Sequence, residues 1–467
     1  MPIIRDYDIS FDAATQVAVV GAGACGFTAA IAAAEGGAEV MLIERDERPH
    51  GSTAMSQGYV CAGGSRIQRE LGIDDSPELF FQDIMCKTKG QTDPALARLI
   101  AEQAGPTIDW LSESHGIPFD VNPGWVAFGH SRPRMHGMPG KTGTELLASL
   151  EAAAEAIGVF SCMGARVVDL YADENDAVKG LALLRPDGRR ETIACDAVVL
   201  ATCGFGANRA MVSEHITHMA NALYFGHEGN HGDGIVWGRE LGGALGDMAA
   251  YQGYGGLTDH GIVLNYDLIM NGGFCVNLAG QRFSDELADI SGQAEKVIAQ
   301  TDNTAWAIFG ENQRASVTGL PEFVDLTRLG AVRSADTIGG LAARIGIDEA
   351  ALSKTLAQVT ALAASGEADV FGRRFRPDQQ LSGPFYAVKV RGALFHTQGG
   401  LVVDDRAQVK RDDGRLLPNL FAGGGAARSI SGPGVWGYLP AAGLCMATTL
   451  GRLAGKNASR LVACAAV

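Results

Sequence analysis

Three glycines near the start of the chain have a spacing that suits phosphate chemistry. They stand in the run Gly21-Ala22-Gly23-Ala24-Cys25-Gly26. In such a run the first glycine permits a tight turn, the second lets the backbone approach a pyrophosphate, and the third lets a helix pack on a strand. Glu44 follows about twenty residues later, where a carboxylate can accept hydrogen bonds from an adenosine ribose. These residues predict a dinucleotide-binding loop.

A segment rich in glycine and hydroxyl groups, Gly51–Gly58, comes shortly after Glu44. Its Ser52, Thr53 and Ser56 are small side chains of the type that suits contacts to a pyrophosphate and a flavin. The glycine run alone does not separate FAD from NAD, and this segment favours FAD. On the residues alone, the same segment can equally be a solvated loop.

The elements that must position these residues form a βαβ unit. The apolar run Val17–Val20 precedes the glycines, an alanine-rich helical stretch follows to about Gly37, and Glu39–Ile43 reads as a second strand. The start of the helix offers unpaired N–H groups and a positive dipole end to phosphates. The glycine run therefore stands in the strand–turn–helix context that a dinucleotide site requires.

Two later strands also run directly into glycine-rich turns. Asp196–Ala201 leads into Thr202-Cys203-Gly204, and Leu420–Ala422 leads into Gly423-Gly424-Gly425. In doubly wound α/β folds, ligands bind beyond the carboxyl ends of the strands, so both junctions are expected at the cofactor crevice. The fold class that these patterns predict is α/β, with a Rossmann-like domain.

Composition excludes several classes of protein. The 467 residues suffice for two or three domains, and 46% hydrophobic with 19% charged residues is a globular composition. A formal charge of −15 argues against binding nucleic acid through a basic surface. The N-terminal residues lack the apolar region of a secretory signal, and the chain shows no run apolar enough to span a bilayer. The nine cysteines form no CxxC pair, so we expect free thiols in the cytoplasm and no metal.

With these landmarks in place, the chain resembles the fumarate reductase / succinate dehydrogenase flavoprotein superfamily, which also contains 3-ketosteroid dehydrogenases, urocanate reductases and tricarballylate dehydrogenases. The resemblance runs from Val17 to Gly455 and includes the segments GAGACGFTAA, GSTAMSQG, VVLATCGFGAN, GNHGDGI, GGFCVNLAGQRFSDE, FHTQGGLVVD and LPNLFAGGGA. It implies an FAD-binding domain, residues 1–248 and 396–467, interrupted by an α+β capping (substrate) domain, residues 249–395.

The resemblance also implies which residues contact FAD. They are Gly21, Gly23, Gly26, Glu44, Ser52, Thr53, Ser56, Gly58, the backbone at Val168, Thr202, Gly204, Asp233, Gly424, Gly437, Tyr438 and Leu439. Membrane-bound relatives attach FAD through a histidine at the position of Ser52, so noncovalent FAD is expected here. A final helix that begins near Leu439-Pro440 would direct its positive end to the flavin.

The predicted capping domain carries its own helix signals. Asp336–Ile345 and Asp348–Ala364 have helical periodicity, and Gly366 is a suitable stop after the second. Within the FAD-binding domain, Pro186-Asp187-Gly188 predicts the turn of a hairpin.

The substrate residues depart from the family pattern. His396, in His396-Thr397-Gln398-Gly399-Gly400, matches a substrate-binding histidine, although it could also be a structural hinge residue. Tyr254 stands at a second histidine position, and Ile290 stands where fumarate reductases carry a proton-donating arginine. A buried dicarboxylate needs cationic partners. The departures therefore favour a neutral substrate, with Tyr254, Tyr266 and His396 as catalytic candidates and the two tyrosines alternatively as packing aromatics.

Three functions remain open on the sequence. The leading hypothesis is an FAD-dependent oxidoreductase that reduces or dehydrogenates a carbon–carbon bond adjacent to a carbonyl, of a neutral or aromatic/alicyclic ketone, by hydride transfer at flavin N5. A second is a carboxylate-specific, tricarballylate-type dehydrogenase that uses Arg132, Arg134 or Arg428. A third is a non-catalytic flavin-binding accessory protein. The expected partners are a small-molecule substrate and a separate electron carrier, a nicotinamide or oxygen, without nucleic acid or membrane.

Overall fold

A computed structural model describes residues 3–5 and 8–465 of the chain. These residues form two compact units. The first contains the chain up to Ile216, Gly226–Tyr251 and the residues from His396 onward. The second contains Thr217–Phe225 and Gln252–Phe395. No helix in the described residues is both long and apolar enough to cross a membrane.

Twenty strands are defined within the described residues. They are β1 (Ile3–Ile4), β2 (Ala13–Val20), β3 (Val40–Ile43), β4 (Val60–Cys61), β5 (Asp120–Val121), β6 (Met135–Gly137), β7 (Phe160–Cys162), β8 (Arg166–Ala172), β9 (Val178–Leu184), β10 (Arg190–Leu200), β11 (Leu223–Tyr224), β12 (Leu245–Gly246), β13 (Tyr251–Leu257), β14 (Phe274–Val276), β15 (Ala305–Gly310), β16 (Val332–Ala335), β17 (Phe385–Thr397), β18 (Gly400–Leu401), β19 (Gln408–Lys410) and β20 (Leu416–Ala422).

Fifteen α-helices accompany them in the same part of the chain. They are α1 (Ala24–Glu35), α2 (Gly51–Ala54), α3 (Arg66–Glu70), α4 (Pro77–Lys87), α5 (Pro94–Glu113), α6 (Gly143–Ala156), α7 (Arg209–His215), α8 (Asp233–Glu240), α9 (Asp267–Met270), α10 (Gln293–Ile298), α11 (Glu311–Ala315), α12 (Pro321–Arg328), α13 (Ile338–Ile345), α14 (Glu349–Ser365) and α15 (Ala442–Ala465).

The first unit is organised by a nine-stranded mixed sheet. Its main order is β1-β8-β9-β10-β2-β3-β7, and β20 pairs with both β10 and β19. β2 pairs in parallel with β3 and with β10, while the β9–β10 pair is an antiparallel hairpin. Its turn closes through the hydrogen bond from Gly188 N to Arg185 O, as the Pro-Asp-Gly signal predicts. Since β2, β10 and β20 run in parallel, their carboxyl ends meet at one edge of the sheet.

Close contact between α1 and α15 depends on two glycines of α15. A Cβ added at Gly451 would lie 2.5 Å from Cys25 O, and one added at Gly455 would lie 2.0 Å from Ala29 O. Both distances are too short for a side chain, so glycine lets the two helix backbones meet. The α1 face at this contact consists of small residues, and Ala29 and Ala30 are fully buried.

The second unit contains a six-stranded sheet ordered β11-β17-β15-β14, with β13 and β16 also pairing with β17. The predicted cap helices are present as α13 and α14, and α14 is capped by Asp348 and ends at Gly366 in the left-handed conformation, φ 71°. This unit shares residues 252–395 with the predicted cap. It also contains Thr217–Phe225, because β11 in this segment pairs with β17 at Ala393 and Leu394. The sequence-based division assigns this segment to the FAD-binding domain.

Buried ion pairs stabilise the interior of the second unit. Glu286 is fully buried and lies 2.7 Å from Arg282 and 2.6 Å from Arg373. Its carboxylate also accepts a hydrogen bond of 2.8 Å from Cys275 N. Burial opposes ionisation of Glu286, but the charges of Arg373 and Arg282 outweigh it and lower the pKa of this carboxyl below its usual value. Glu286 is therefore ionised and paired at neutral pH.

Candidate functional site

The predicted dinucleotide loop joins β2 to α1, and its glycines are required by its geometry. Gly21 has φ +105°, and a Cβ added there would lie 2.5 Å from Ala201 O. A Cβ added at Gly26 would lie 1.7 Å from Gly21 O. Glu44, directly after β3, accepts a hydrogen bond of 2.8 Å from Ala22 N. The carboxylate and the backbone of the loop therefore lie side by side, as an adenosine diphosphate group requires.

The N-terminus of α1 is a candidate position for a phosphate group. Gly23 is its N-cap and brings no side-chain cap to the first turn. Thr53 Oγ1 accepts a hydrogen bond of 3.0 Å from Ala24 N, and a Cβ added at Gly23 would already lie 3.4 Å from this oxygen. Helix N-termini of this kind attract anions because their N–H groups and dipole point outward.

Ser56 and Gly58 shape the turn that follows α2. Ser56 Oγ donates to Thr53 O at 2.7 Å and accepts from Gly58 N at 3.1 Å. Gly58 has φ +71°, and a Cβ added there would lie 2.5 Å from Thr142 O. This turn places Thr53 against the loop that precedes α1.

Val168 and Asp233 offer main-chain and carboxylate groups in the same unit. Val168 is the extra residue of a β-bulge between Val167 and Asp169 in the β8–β9 pair, so its backbone is outside the ladder register. Asp233 is the first residue of α8. Burial raises the pKa of Asp233, against the opposing charge of Arg166.

The turn that follows β10 packs closely against neighbouring segments of the same unit. Thr202 Oγ1 accepts a hydrogen bond of 3.1 Å from Gly234 N at the start of α8. A Cβ added at Gly204 would lie 2.0 Å from Thr397 Oγ1, which itself accepts from Phe205 N at 3.0 Å. Thr202 and Gly204 therefore join the β10 edge to α8 and to the segment after His396.

The glycine loop near the C-terminus also brings backbone segments close together. The helix that follows it, α15, begins later than predicted. Gly424 has φ +57°, and a Cβ added at Gly437 would lie 1.8 Å from Ser431 O. α15 begins at Ala442 rather than at Leu439-Pro440, because Ala441 has φ +66°, a left-handed value incompatible with a continuing helix. Tyr438 and the buried Leu439 thus belong to the loop, and burial raises the pKa of the Tyr438 phenol.

These features fit FAD. The glycine positions form a cradle that side chains would fill, and the loop backbone and the α1 N-terminus are suited to a diphosphate. All sixteen cofactor residues predicted from the sequence lie in the first unit.

A pair that the sequence analysis missed lies beside the predicted contacts. Cys203 Sγ is 3.2 Å from His396 Nε2 and 3.4 Å from Ser52 Oγ. Both Cys203 and His396 are partly exposed. Cys203 has φ +62°, a conformation that favours glycine. A cysteine between Thr202 and Gly204 is a weak signal by itself, because its partner lies 193 positions away in the sequence.

The two groups change each other's ionisation. Burial alone would raise the pKa of the Cys203 thiol, but the charge and hydrogen bond of His396 outweigh burial and lower this pKa to about 7, with help from Ser52 and the backbone of Gly204. Burial also opposes protonation of His396, but the negative charge of the Cys203 sulfur raises the pKa of the imidazole above its ordinary value. The pair shares a proton near neutral pH.

A hydrogen-bonded chain orients the ring of His396. The Gln398 amide lies with Nε2 3.2 Å from His396 Nδ1, and Gln398 Oε1 accepts from Ser431 Oγ at 3.3 Å. With the amide turned so that Oε1 faces the ring, Nδ1 donates its proton to Gln398, and Nε2 is left to exchange a proton with the Cys203 sulfur.

The predicted catalytic tyrosines come together in the second unit. The rings of Tyr254 and Tyr266 are 5.7 Å apart, edge to face, and Tyr254 stacks on Phe395 at 5.3 Å. Tyr254 donates its hydroxyl proton to Leu264 O at 2.7 Å, and Tyr266 donates to Glu286 O at 2.6 Å. Burial is the main cause that raises the pKa of both phenols, so both are neutral at physiological pH.

The arginines considered for carboxylate binding already have partners within the first unit. Arg134 is fully buried and pairs with Asp75 at 2.7 Å and with Asp83. Arg428 pairs with Asp247 at 2.7 Å. Arg132 donates through Nε to Asp74 O at 2.9 Å.

Comparison with known proteins identifies the family of the chain. A family model described as "FAD binding domain" matches residues 16–445. The chain is 30% identical over 448 residues to a fumarate reductase (cytochrome) of Shewanella frigidimarina, covering 95% of this chain and 77% of that protein. It is 29% identical over 456 residues to a urocanate reductase of Eggerthella lenta, covering 96% and 75% of the two chains.

Solved structures give the same result. The open conformation of a flavocytochrome c3 fumarate reductase superposes with a TM-score of 0.84 at 28% identity, covering 97% of this chain and 79% of that one. A 3-ketosteroid-Δ4-(5α)-dehydrogenase of Rhodococcus jostii, in complex with 4-androstene-3,17-dione, superposes with a TM-score of 0.78 at 25% identity, covering 97% and 98%. The chain therefore belongs to the fumarate reductase / succinate dehydrogenase flavoprotein superfamily and is an FAD-dependent oxidoreductase acting on CH–CH bonds.

Proposed function

We propose that this protein reduces or dehydrogenates a carbon–carbon bond adjacent to the carbonyl of a neutral aromatic or alicyclic ketone. FAD, when bound, supplies the hydride donor or acceptor at its N5. The protein must then bind the carbonyl compound, orient it and handle the proton that is exchanged at the α-carbon. We assign the proton-handling role to His396, and we propose that the second unit, with Tyr254 and Tyr266, is the capping, substrate domain.

The observation that carries this proposal is the charge of the candidate site. Arg134 and Arg428 are held by carboxylates of the chain itself, so neither brings uncompensated positive charge. The Cys203–His396 pair is neutral overall, whether the shared proton lies on the sulfur or on His396 Nε2. A neutral carbonyl compound loses little on entering such a site, whereas a dicarboxylate would lack the cationic partners that offset its desolvation.

His396 has the geometry of a proton donor. Its Nε2 proton is directed away from Gln398, and the Cys203 sulfur beside it can return a proton to the ring. Donation to the carbonyl oxygen or to the α-carbon needs only a heavy-atom separation within hydrogen-bonding range. Tyr254 and Tyr266 are unsuited to act as bases because their raised pKa values keep them protonated. Their hydroxyls donate to backbone carbonyls and can each still accept a hydrogen bond, so we assign them an orienting role.

A second candidate function is action on a carboxylate. It is supported by the names of two relatives, fumarate reductase and urocanate reductase. In this version His396 would be protonated and would bind a carboxylate oxygen, while Arg132, which donates to a backbone carbonyl rather than to an acid, would supply further charge.

We further propose that FAD is noncovalently bound, that electrons come from or go to a separate carrier, a nicotinamide or oxygen, and that the protein resides in the cytoplasm. The first point rests on the hydroxyl of Ser52, which cannot form the linkage that a histidine forms. The last is supported by the nine free thiols, which suit a reducing compartment.

The two candidate functions are separated by one experiment. The FAD-loaded protein is reduced anaerobically and mixed with cyclohexenone or with fumarate at equal concentration, and the return of oxidised flavin absorbance is followed. Reoxidation by the enone and not by fumarate is expected. Reoxidation by fumarate alone would establish the second candidate in place of the first, and no reoxidation by any enone or enoate would reject both.

The role of His396 is tested in the same assay. His396→Gln should slow reoxidation by the enone about a hundredfold or more, the usual effect of losing a general acid, while FAD occupancy is unchanged. His260→Gln, which alters an exposed imidazole, is the matched control. Equal rates in the two variants would remove His396 from the reaction.

A further inference from the structure

We propose that Cys203 is a nucleophilic thiol activated by His396, and that the pair is a site of covalent modification by electrophilic alkenes. The addition uses the same imidazole as the proposed reduction but needs no flavin redox step, so the two are distinguished by the flavin spectrum, which the addition leaves unchanged.

The first argument is the hydrogen bonding around the sulfur. Asn230 Nδ2 donates to Ser52 Oγ at 3.0 Å, which leaves the Ser52 proton to point toward Cys203 Sγ at 3.4 Å. Gln398 is hydrogen-bonded to His396 Nδ1, so the other ring nitrogen, Nε2, faces Cys203 Sγ at 3.2 Å and directs its proton to the sulfur. Donors therefore approach the sulfur from two side chains. Such an environment stabilises a thiolate, which accepts hydrogen bonds well, over a thiol.

The second argument is the backbone at Cys203. Its φ of +62° lies in the left-handed region, where a residue with a Cβ costs roughly 1 kcal/mol more than glycine. The neighbouring junctions of this unit use glycine at such positions, for example Gly21 and Gly424. Strained non-glycine residues concentrate at functional sites. Here the strained residue carries a nucleophile next to an imidazole.

The third argument concerns the titratable groups that face the pair. Cys25 is the other thiol whose charge would affect Cys203, and burial raises the pKa of Cys25 to about 12, so it is neutral. His396 lowers the pKa of Cys203, and Cys203 raises the pKa of His396. The other two side chains that contact the pair, Ser52 and Gln398, are uncharged. No buried carboxylate among the groups that shift Cys203 opposes the thiolate.

The chemistry of the pair selects an electrophilic alkene. The Cys203 thiolate forms an S–C bond to the β-carbon of an α,β-unsaturated carbonyl compound, and the π electron pair moves to the α-carbon. The proton on His396 Nε2 then passes to that carbon. The proton that the thiol lost to His396 is the one that the carbon receives, so atoms and electrons balance without an oxidant or reductant, and His396 ends as a neutral imidazole. Polarisable thiolates with an adjacent acid are well suited to this addition.

The test uses acrylamide as the probe on the FAD-loaded protein. The variant Cys86→Ser/Cys464→Ser removes both exposed thiols, and six of the remaining seven cysteines are buried. Peptide mass spectrometry should locate one adduct, at Cys203, with the flavin spectrum unchanged. The labelling rate should rise with pH with a midpoint near 7. Absence of an adduct at Cys203, or a midpoint near the ordinary thiol value of about 8.5, would overturn the proposal.

Two further variants test the activation by His396. In His396→Gln, the midpoint should move toward about 8.5, so the thiolate fraction at pH 7 falls from about one half to about one thirtieth. The rate falls less than this, because the thiolate of a weaker acid is the better nucleophile. Ser52→Ala should move the midpoint in the same direction by a smaller amount. An unchanged midpoint in both variants would contradict the role of the pair, and Cys203→Ser, which should not label, confirms the site.

Discussion

Replacing Gly26 with alanine tests whether contact between α1 and the loop before it is what permits FAD binding. The added Cβ would lie 1.7 Å from Gly21 O and 3.3 Å from the Leu42 side chain. Non-bonded heavy atoms need roughly 3.5 Å, so α1 and the loop must separate by more than 1.5 Å or so. The obstructing atom is a backbone oxygen, which cannot move aside as the end of a side chain can.

The magnitude follows from two opposing effects. Forcing a methyl group into a packed interior typically costs about 1–3 kcal/mol, and the backbone obstruction here places Gly26→Ala at the upper end. Alanine in a helix regains about 1 kcal/mol relative to glycine. We expect a net loss of about 2 kcal/mol in the free energy of unfolding. We also expect loss of FAD, because the displacement of the loop is large enough to break hydrogen bonds between its backbone and a bound phosphate.

The assay compares purified Gly26→Ala with Gly124→Ala. At Gly124 an added Cβ would make an ordinary contact of 3.4 Å with Asn122 Oδ1. Flavin-to-protein absorbance ratios after gel filtration and urea unfolding of both variants give the two quantities. A Gly26→Ala protein that retains full FAD occupancy and unfolds with the midpoint of the control would refute the reasoning about the loop.

Three other predictions follow from single sites. Glu286→Gln leaves Arg373 without its buried counter-charge and removes one of the two carboxylates that pair with Arg282, so it should destabilise the protein by about 3–5 kcal/mol in urea unfolding; a loss below 1 kcal/mol would show that the pair is not needed. Because the pKa of Glu286 is lowered on folding, its contribution is present above the pKa of the unfolded carboxyl and disappears as the pH falls through the folded value, so the variant and parent should converge in acid. Precipitation in acid should release FAD into the supernatant, as expected for Ser52 at the attachment position; a yellow pellet would mean a covalent bond. Tyr254→Phe should cost about 1 kcal/mol of stability, from one lost hydrogen bond, and should slow flavin reoxidation by an enone much less than His396→Gln does, whereas a comparable loss would make the phenol the proton donor.

The elements that depend on short stretches of chain could be predicted from the sequence. The glycine run before α1 and the capping residues of α14, Asp348 and Gly366, act on their own neighbours. Local sterics, N-caps and left-handed C-caps therefore specify them without reference to the rest of the fold. The sequence predicts the start of α15 three residues early, because nothing in the local pattern reveals the left-handed backbone at Ala441.

What only the tertiary structure decided is which side chains meet. Arg134 appeared available for a substrate, but folding buries it against Asp75 and Asp83. The sequence by itself determined the FAD-binding scaffold and proposed His396 for its site. It could not reveal that Cys203 lies against that imidazole, because residues 193 positions apart are brought together by packing across the whole unit, and no local spacing records that contact.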